Sequence, residues 1–166
     1  MSGITLKKAK KQRELLDISD LAHRIWREFF PPIISTDQIE YMLEKFQSPP
    51  ALEKALAEGY DYYFISRLGV RIGYVGVKEN EPLGKMFLSK LYLLKEYRGR
   101  GYASCVFEKL TEMCQKRGLK SIWLTVNKRN PAFEVYRKKG FNIIEEKEAA
   151  IGGGFVMDDY IMEKTL

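Results

Sequence analysis

The most constraining stretch of this chain is a run in which an apolar segment, Leu88-Ser89-Lys90-Leu91-Tyr92-Leu93-Leu94, passes through Lys95-Glu96-Tyr97 into Arg98-Gly99-Arg100-Gly101-Tyr102-Ala103. Beyond it, Ala103, Val106, Phe107, Leu110, Met113 and Cys114 recur at helical spacing, and Gly118 is placed to end that helix. A strand therefore enters a glycine-rich turn and leaves it as a helix. Glycines allow the tight backbone turn, and the free N–H groups of a helix N-terminus, with the helix dipole, favour a phosphate. Arg98 and Arg100 add forked donors. The bland alternative is an ordinary strand–helix connection with exposed arginines. Two nucleotide motifs are excluded. The turn lacks the Gly-Lys-Ser/Thr of a P-loop. It also has serine at position 104 where a dinucleotide fingerprint needs glycine or alanine, and no acid lies between Glu112 and Glu134 to bind a ribose.

The rest of the chain arranges itself around that unit. Ile4–Lys8 reads as a short strand. Leu15, Ile18, Ala22, Ile25 and Phe29 mark a helix stopped by Pro31 and Pro32. A second helix starts with Ser35 or Thr36 as its cap, Pro49 and Pro50 end it, and a short helix runs over 51–58. Residues 62–67 and 71–78 read as a hairpin, and 85–94 as a third strand. Ser121–Asn127 is the near-continuous apolar run of a central strand, Asn130-Pro131 starts a last helix, and 141–146 and 155–164 close the chain as strands around Gly152-Gly153-Gly154. Hairpin-linked strands are antiparallel and strand–helix–strand units parallel, so the class is α/β with a mixed sheet. The 166 residues fit one domain over 1–166.

Charge narrows the partners. The net +6 is local, since residues 84–140 carry fourteen basic and four acidic groups while 31–61 and 141–166 are each −4. An excess around the glycine turn marks a contact with an anion. Cys105 and Cys114 sit in one helix and His23 is the single histidine, which leaves no disulfide framework and no metal site. No apolar run approaches the ~20 residues that cross a bilayer, and the N-terminal segment lacks the apolar stretch of a secretory signal. A cytoplasmic location without membrane contact is expected.

Arg98-Gly99-Arg100-Gly101-Tyr102-Ala103 resembles the Arg/Gln-x-x-Gly-x-Gly/Ala pyrophosphate loop of the GNAT N-acetyltransferase superfamily, and Asn130 to Phe141 resembles its Asn-x-x-Ala-x-x-x-Tyr-x-x-x-Gly-Phe segment. The resemblance implies a GNAT fold: a mixed sheet of six to seven strands with a splayed parallel central pair, and about four helices. It implies acetyl-CoA as cofactor, held by the backbone of Leu91, Tyr92 and Leu93, by the loop amides of Arg98, Gly99, Arg100, Gly101, Tyr102 and Ala103, and by Asn130. Tyr136 matches the tyrosine that protonates the departing coenzyme A thiolate, as a phenol with a pKa near ~10 can do. Asn130 as a plain helix cap and Tyr136 as a core aromatic are the bland readings of the same residues.

The implied reaction is direct transfer of acetyl to a primary amine, which must first lose its proton. Many family members carry a glutamate base on the strand before the loop. Phe87-Leu88-Ser89-Lys90 has no carboxylate there, so Asp158, Asp159, Glu28, His23 or water are the candidates. Strand alternation puts Asp158 and Asp159 on opposite faces, each among apolar neighbours. The segment from Gly152 to the C-terminus and the first helix resemble, more loosely, bacterial spermidine/spermine N-acetyltransferases. The acidic segments suit a cationic polyamine or a lysine-bearing peptide, and Trp26, Phe29 and Phe30 are candidates to line its groove. A small amine acceptor without nucleic acid is the favoured reading, and the resemblance leaves a homodimer open. The alternatives are acetylation of a protein N-terminus or lysine, and a non-catalytic acyl-CoA or nucleic-acid binding module.

Overall fold

The computed structural model describes residues 3–166. In chain order the elements are β1 (Ile4–Ala9), α1 (Gln12–Phe29), α2 (Thr36–Gln47), α3 (Pro49–Ala57), β2 (Tyr60–Arg67), β3 (Val70–Glu79), β4 (Lys85–Leu93), a 3-10 turn (Lys95–Tyr97), α4 (Tyr102–Lys116), β5 (Ser121–Asn127), α5 (Ala132–Lys138), β6 (Asn142–Gly152) and β7 (Phe155–Thr165). The strands form one sheet ordered β1-β2-β3-β4-β5-β7-β6. Only β4 and β5 pair in parallel, because a helix, α4, returns the chain between them.

Strand alternation divides the apolar side chains between two faces. Tyr63, Ile65, Val75, Met86, Leu88, Ile122, Leu124 and Met162 pack with Val106, Phe107 and Leu110 of α4. Tyr62, Phe64 and Tyr74 pack on the other face with Leu15, Ile18, Ala22, Ile25 and Trp26 of α1 and with α2 and α3. Leu15, Ile18, Ala22 and Ile25 of the stripe expected at three- and four-residue spacing are almost fully buried, whereas Phe29 is only partly buried and Trp26 takes the next core position.

Local chemistry fixes most boundaries. Ser35 caps α2 by accepting from the Gln38 N–H at 3.1 Å. Pro49 and Pro50 begin α3 instead of merely separating two helices. Proline suits a first turn, where its missing N–H costs nothing, and Ser48 caps it. The five α-helices among the described residues are the five that the residue pattern marks. The largest departure is β6, expected to stop at Glu146 and found to reach Gly152. As an edge strand whose side chains are mostly exposed it carries no apolar alternation to read, and its pairing to β7 alone defines it.

Close strand approach is enforced at Gly73, where a Cβ would lie 2.2 Å from the Tyr92 carbonyl oxygen. Gly73→Ala is expected to cost about 1–3 kcal/mol, the usual range for overpacking, as a lowered urea midpoint. An unchanged midpoint would mean that β3 and β4 are less tightly apposed than described.

Candidate active site

The parallel ladder between β4 and β5 is short. Lys85 to Leu88 pair with Ser121 to Leu124, and no pairing follows. At the same point β4 gains a residue against β3: Val77 faces Leu88 while Gly76 faces Lys90, so Ser89 is extra. A bulge bends its strand and re-aims side chains. Without it Leu88, Lys90 and Tyr92 would share a face. With it Leu88, Leu91 and Leu93 pack toward α4, and Lys90 and Tyr92 turn to the α1–α3 side.

The divergence opens a cavity of about 610 Å³. Phe87 to Tyr92 and Leu124 to Asn127 form its walls, Trp26, Phe30, Met42 and Phe46 line it from the helices, and Tyr136, Met157 and Asp159 reach it from β5's other side. A roof crosses its β7 end. Tyr41 Oη donates to the Ile151 carbonyl at 2.9 Å, Gln38 Nε2 donates to that of Val156 at 3.0 Å, and Lys45 also donates to Ile151. Gly152 and Gly153 let the β6–β7 turn sit under Tyr41, whose ring and hydroxyl a Cβ at either position would strike. Two of the three glycines serve that approach; at Gly154, with φ of 80°, a Cβ would meet nothing within 4 Å.

At the foot of β4 the glycine turn has the expected form. Gly99 and Gly101 have φ of 73° and 81°, and Gly101 sits at the N-cap of the fifteen-residue α4 without a side-chain cap. The first amides of α4 are left for an anion, no acidic residue lies in its first turn, and nothing occupies the space within 4 Å of where either glycine would carry a Cβ. These features fit a pyrophosphate. Arg98, expected as a phosphate donor, turns inward instead. Its Nε donates to the Leu93 carbonyl at 2.9 Å, its guanidinium lies 4.7 Å over the Phe29 ring, and its Nη2 is buried without a partner. It braces the loop against β4. Arg100 remains exposed.

The structure separates the residues that the sequence grouped. Asp159 is buried, 7% exposed, and faces the cavity; burial first and then Asp158 push its carboxyl up to about 6. Asp158 lies on the opposite face, exposed and paired with Lys128 at 3.1 Å, outside the cavity. Tyr136 lines the cavity, edge-on to Phe107 and Phe141, its phenol raised to about 12 by burial. Asn130 also lines it and accepts from the Ala132 N–H at 2.9 Å, so it serves as the helix cap as well. Trp26 and Phe30 line the cavity, whereas Phe29 does not: one position along α1 it faces the loop under Arg98. Glu28 pairs with Arg24 and His23 bonds to the Ser19 carbonyl, both away from the cavity.

Three groups escaped the sequence reading. The partly buried Tyr92 side chain is held by Trp26, Phe30 and Tyr74, and its phenol is raised by burial and by the nearness of Tyr136 and Asp159. Asn127 sits opposite Asp159 across the β5–β7 ladder. Lys90 reaches Tyr62 Oη at 3.3 Å and lies 5.3 Å from that ring. The available signal for Lys90 was a lysine in the middle of an otherwise apolar strand.

Comparison with known proteins agrees with this geometry. The sequence pattern of the acetyltransferase (GNAT) family matches residues 18–141. An uncharacterized N-acetyltransferase of Mycobacterium tuberculosis is 27% identical over 152 residues, covering 90% of this chain and 96% of its own. Among solved structures, the PaiA N-acetyltransferase of Thermoplasma acidophilum in complex with coenzyme A superposes with a TM-score of 0.80 at 22% identity, over 98% of this chain and 99% of that one. A chimeric SpeG spermidine N-acetyltransferase, from Vibrio cholerae and hSSAT, gives 0.69 at 20% identity over 99% and 96%. The chain belongs to the GNAT family of acetyltransferases and is an acetyl-CoA-dependent N-acetyltransferase of that type.

Proposed function

We propose that the chain moves acetyl directly to the primary amine of a small molecule, with Asp159 as the base and Tyr136 as the acid. The observation that carries this reading is the convergence of a buried carboxylate and a phenol on one cavity, at the gap between β4 and β5. Bound acetyl-CoA supplies the activated acetyl thioester. The loop amides of Gly99 to Ala103 would hold its pyrophosphate, the Arg98 amide being bonded to the Lys95 carbonyl; the β4 edge of Leu91, Tyr92 and Leu93 that faces away from β3 would hold its pantetheine, and Asn130 would contact it from the start of α5.

The chain's own groups then handle protons. An alkyl ammonium in water has a pKa near ~10.4, too high to surrender its proton readily to a carboxylate. This cavity lowers that barrier, because burial alone brings the Lys90 amine down to about 8. An acceptor amine desolvated in the same space is acidified likewise. Asp159, at about 6, is ionised at neutral pH yet more basic than an ordinary carboxylate, which suits it to take that proton. Tyr136 keeps its proton at neutral pH and donates it to the leaving sulfur. The roof of Gln38, Tyr41 and Lys45 on the β6–β7 turn favours a small acceptor over a folded protein surface.

A polyamine is the finer expectation from the acidic segments. Of their carboxylates only Glu58 and Asp159 line the cavity, against Lys45, Lys54 and Lys90. The lining does not carry the acidic excess of those segments.

Three outcomes test this function. Acetyl-CoA at a hundredfold excess over its Kd should stabilise the protein by about 2.7 kcal/mol, read as a rise in Tm; no rise would remove the cofactor assignment. Tyr136→Phe should lower kcat by roughly 10²-fold, the scale of general-acid catalysis, with acetyl-CoA affinity retained. Asp159→Asn should abolish the acidic limb of the rate profile, which in the native protein rises through about pH 6, while Asp158→Asn keeps it. Because the folded state raises the Asp159 pKa, ionising it destabilises the fold as pH climbs through that range. Asp159→Asn should therefore also raise Tm at pH 7.5, and a lowered Tm would place the carboxylate in a stabilising role instead.

A further inference from the structure

We infer that the acceptor is an amine carrying an anionic group several bonds from its nitrogen, the ammonium end lying at Asp159 and the anionic end at Lys90. The inference rests on the acetyl-transfer reading of this cavity and names the substrate class within it.

Lys90 is a charged cavity group to which the proposed chemistry gives no task. Its Nζ has two neutral neighbours, Tyr62 Oη at 3.3 Å and its neighbour Ser89 Oγ at 3.4 Å, and pairs with no carboxylate among the described residues. The other two lysines of the lining are committed, Lys45 to the Ile151 carbonyl and Lys54 to Glu58 at 3.9 Å. Burial holds the Lys90 ammonium below its ordinary range, and no nearby charge offsets that effect. Lys90 is partly buried, and a cation drawn out of water without a counter-charge carries a cost that is recovered when an anion arrives.

The position is built. The Ser89 bulge turns Lys90 into the cavity. Across the β3–β4 ladder stands Gly76, where a Cβ would come within 2.7 Å of the Tyr62 ring. The missing side chain admits that ring beneath the ammonium, where its face and hydroxyl orient Nζ.

The fold also sets the spacing. Asp159 stands on β7, two strands from β4 in one direction, and Lys90 leans toward Tyr62 on β2, two strands away in the other. Two strand spacings put the Asp159 and Lys90 backbones roughly 10 Å apart, and the splay widens this. An α-amino acid reacting through its α-amine is too short to touch both groups. A chain of about five to seven bonds between nitrogen and anion, with an apolar middle against Trp26, Phe30 and Tyr92, spans them. A carboxylate and a phosphate satisfy a lysine point charge equally well.

The test compares 6-aminohexanoate, 6-aminohexyl phosphate, hexylamine and spermidine as acceptors at saturating acetyl-CoA, following thiol release. The expected result is that at least one anionic amine exceeds hexylamine and spermidine by roughly tenfold or more in kcat/KM. Lys90→Gln should reduce that ratio to near one, and Lys90→Arg should largely restore it, with stabilisation by acetyl-CoA reporting that each variant is folded. Preference for hexylamine or spermidine in the native protein overturns the inference, as does a ratio that survives Lys90→Gln, or acetyl found on Lys90 itself by peptide mass mapping. If none of the four is turned over, calorimetry with N-acetyl-6-aminohexanoate and coenzyme A decides: Lys90-dependent binding supports the anion site and no binding overturns it. Loss of acetyl-CoA stabilisation, by contrast, is a failure of the transferase reading and is seen before any acceptor is added.

Discussion

The parting of β4 from β5 after Leu88 and Leu124 governs the rest of the molecule. A sheet broken in its middle leaves two rows of backbone N–H and C=O groups without partners, and such groups are expensive away from water. The fold limits that exposure by making the break short and by keeping β4 paired to β3 as far as Leu93. The extra residue at Ser89 falls at the same point, so one irregularity both bends β4 away from β5 and rotates Lys90 and Tyr92 into the opening. The gap lets Tyr136, based on the α4 and α5 face, share a cavity with Asp159 on the α1–α3 face. An intact ladder would have kept them on opposite sides of the sheet.

Three ionisable groups that line this cavity are shifted toward their neutral forms. Asp159 and Tyr136 rise and Lys90 falls, with burial as the leading cause in all three. On the proposed reading these shifts serve the chemistry: a stronger carboxylate base, a phenol that keeps its proton, and an environment in which an amine sheds its own. They are also a loss of stability, since at neutral pH Asp159 is ionised where the fold prefers it protonated. The surrounding core offsets this through side chains with nothing to titrate, Leu15, Ile18, Ala22 and Ile25 on one face and Val106 and Leu110 on the other.

What could be read from the sequence was local. The glycine turn was legible because Gly99 and Gly101 are needed for their positive φ and because the helix begins immediately after them. Alternation along β7 correctly put Asp158 and Asp159 on opposite faces, since it depends on nothing beyond the strand's own pleat. Choosing between them required knowing which face bears the cavity, and that is a property of the sheet. The bulge at Ser89 leaves no mark in LSKLYLL, because an extra residue is defined only against the register of β3. Phe29 and Phe30 illustrate the same limit at the end of a helix, where one position of rotation sends one ring into the cavity and the other beneath Arg98.

Charge summed by segment shows why geometry must be resolved before electrostatics is used. Half of the twelve acidic residues of 31–61 and 141–166 are engaged in ion pairs outside the acid–base pair of the cavity. Glu40 takes a two-pronged contact from Arg27, Asp61 meets Lys8, Glu163 meets Lys85, and Asp158 and Glu146 share Lys128. Such exposed pairs contribute little and are screened by salt, so they exert little pull on a molecule inside the cavity. The charges that water screens less there are Asp159, which is buried, and Lys90, which is partly buried, of opposite sign and on strands set apart by the width of the split sheet. Two such charges select for a dipolar guest, one that brings an ammonium to the carboxylate and an anion to the lysine. A polycation satisfies the first and is repelled by the second.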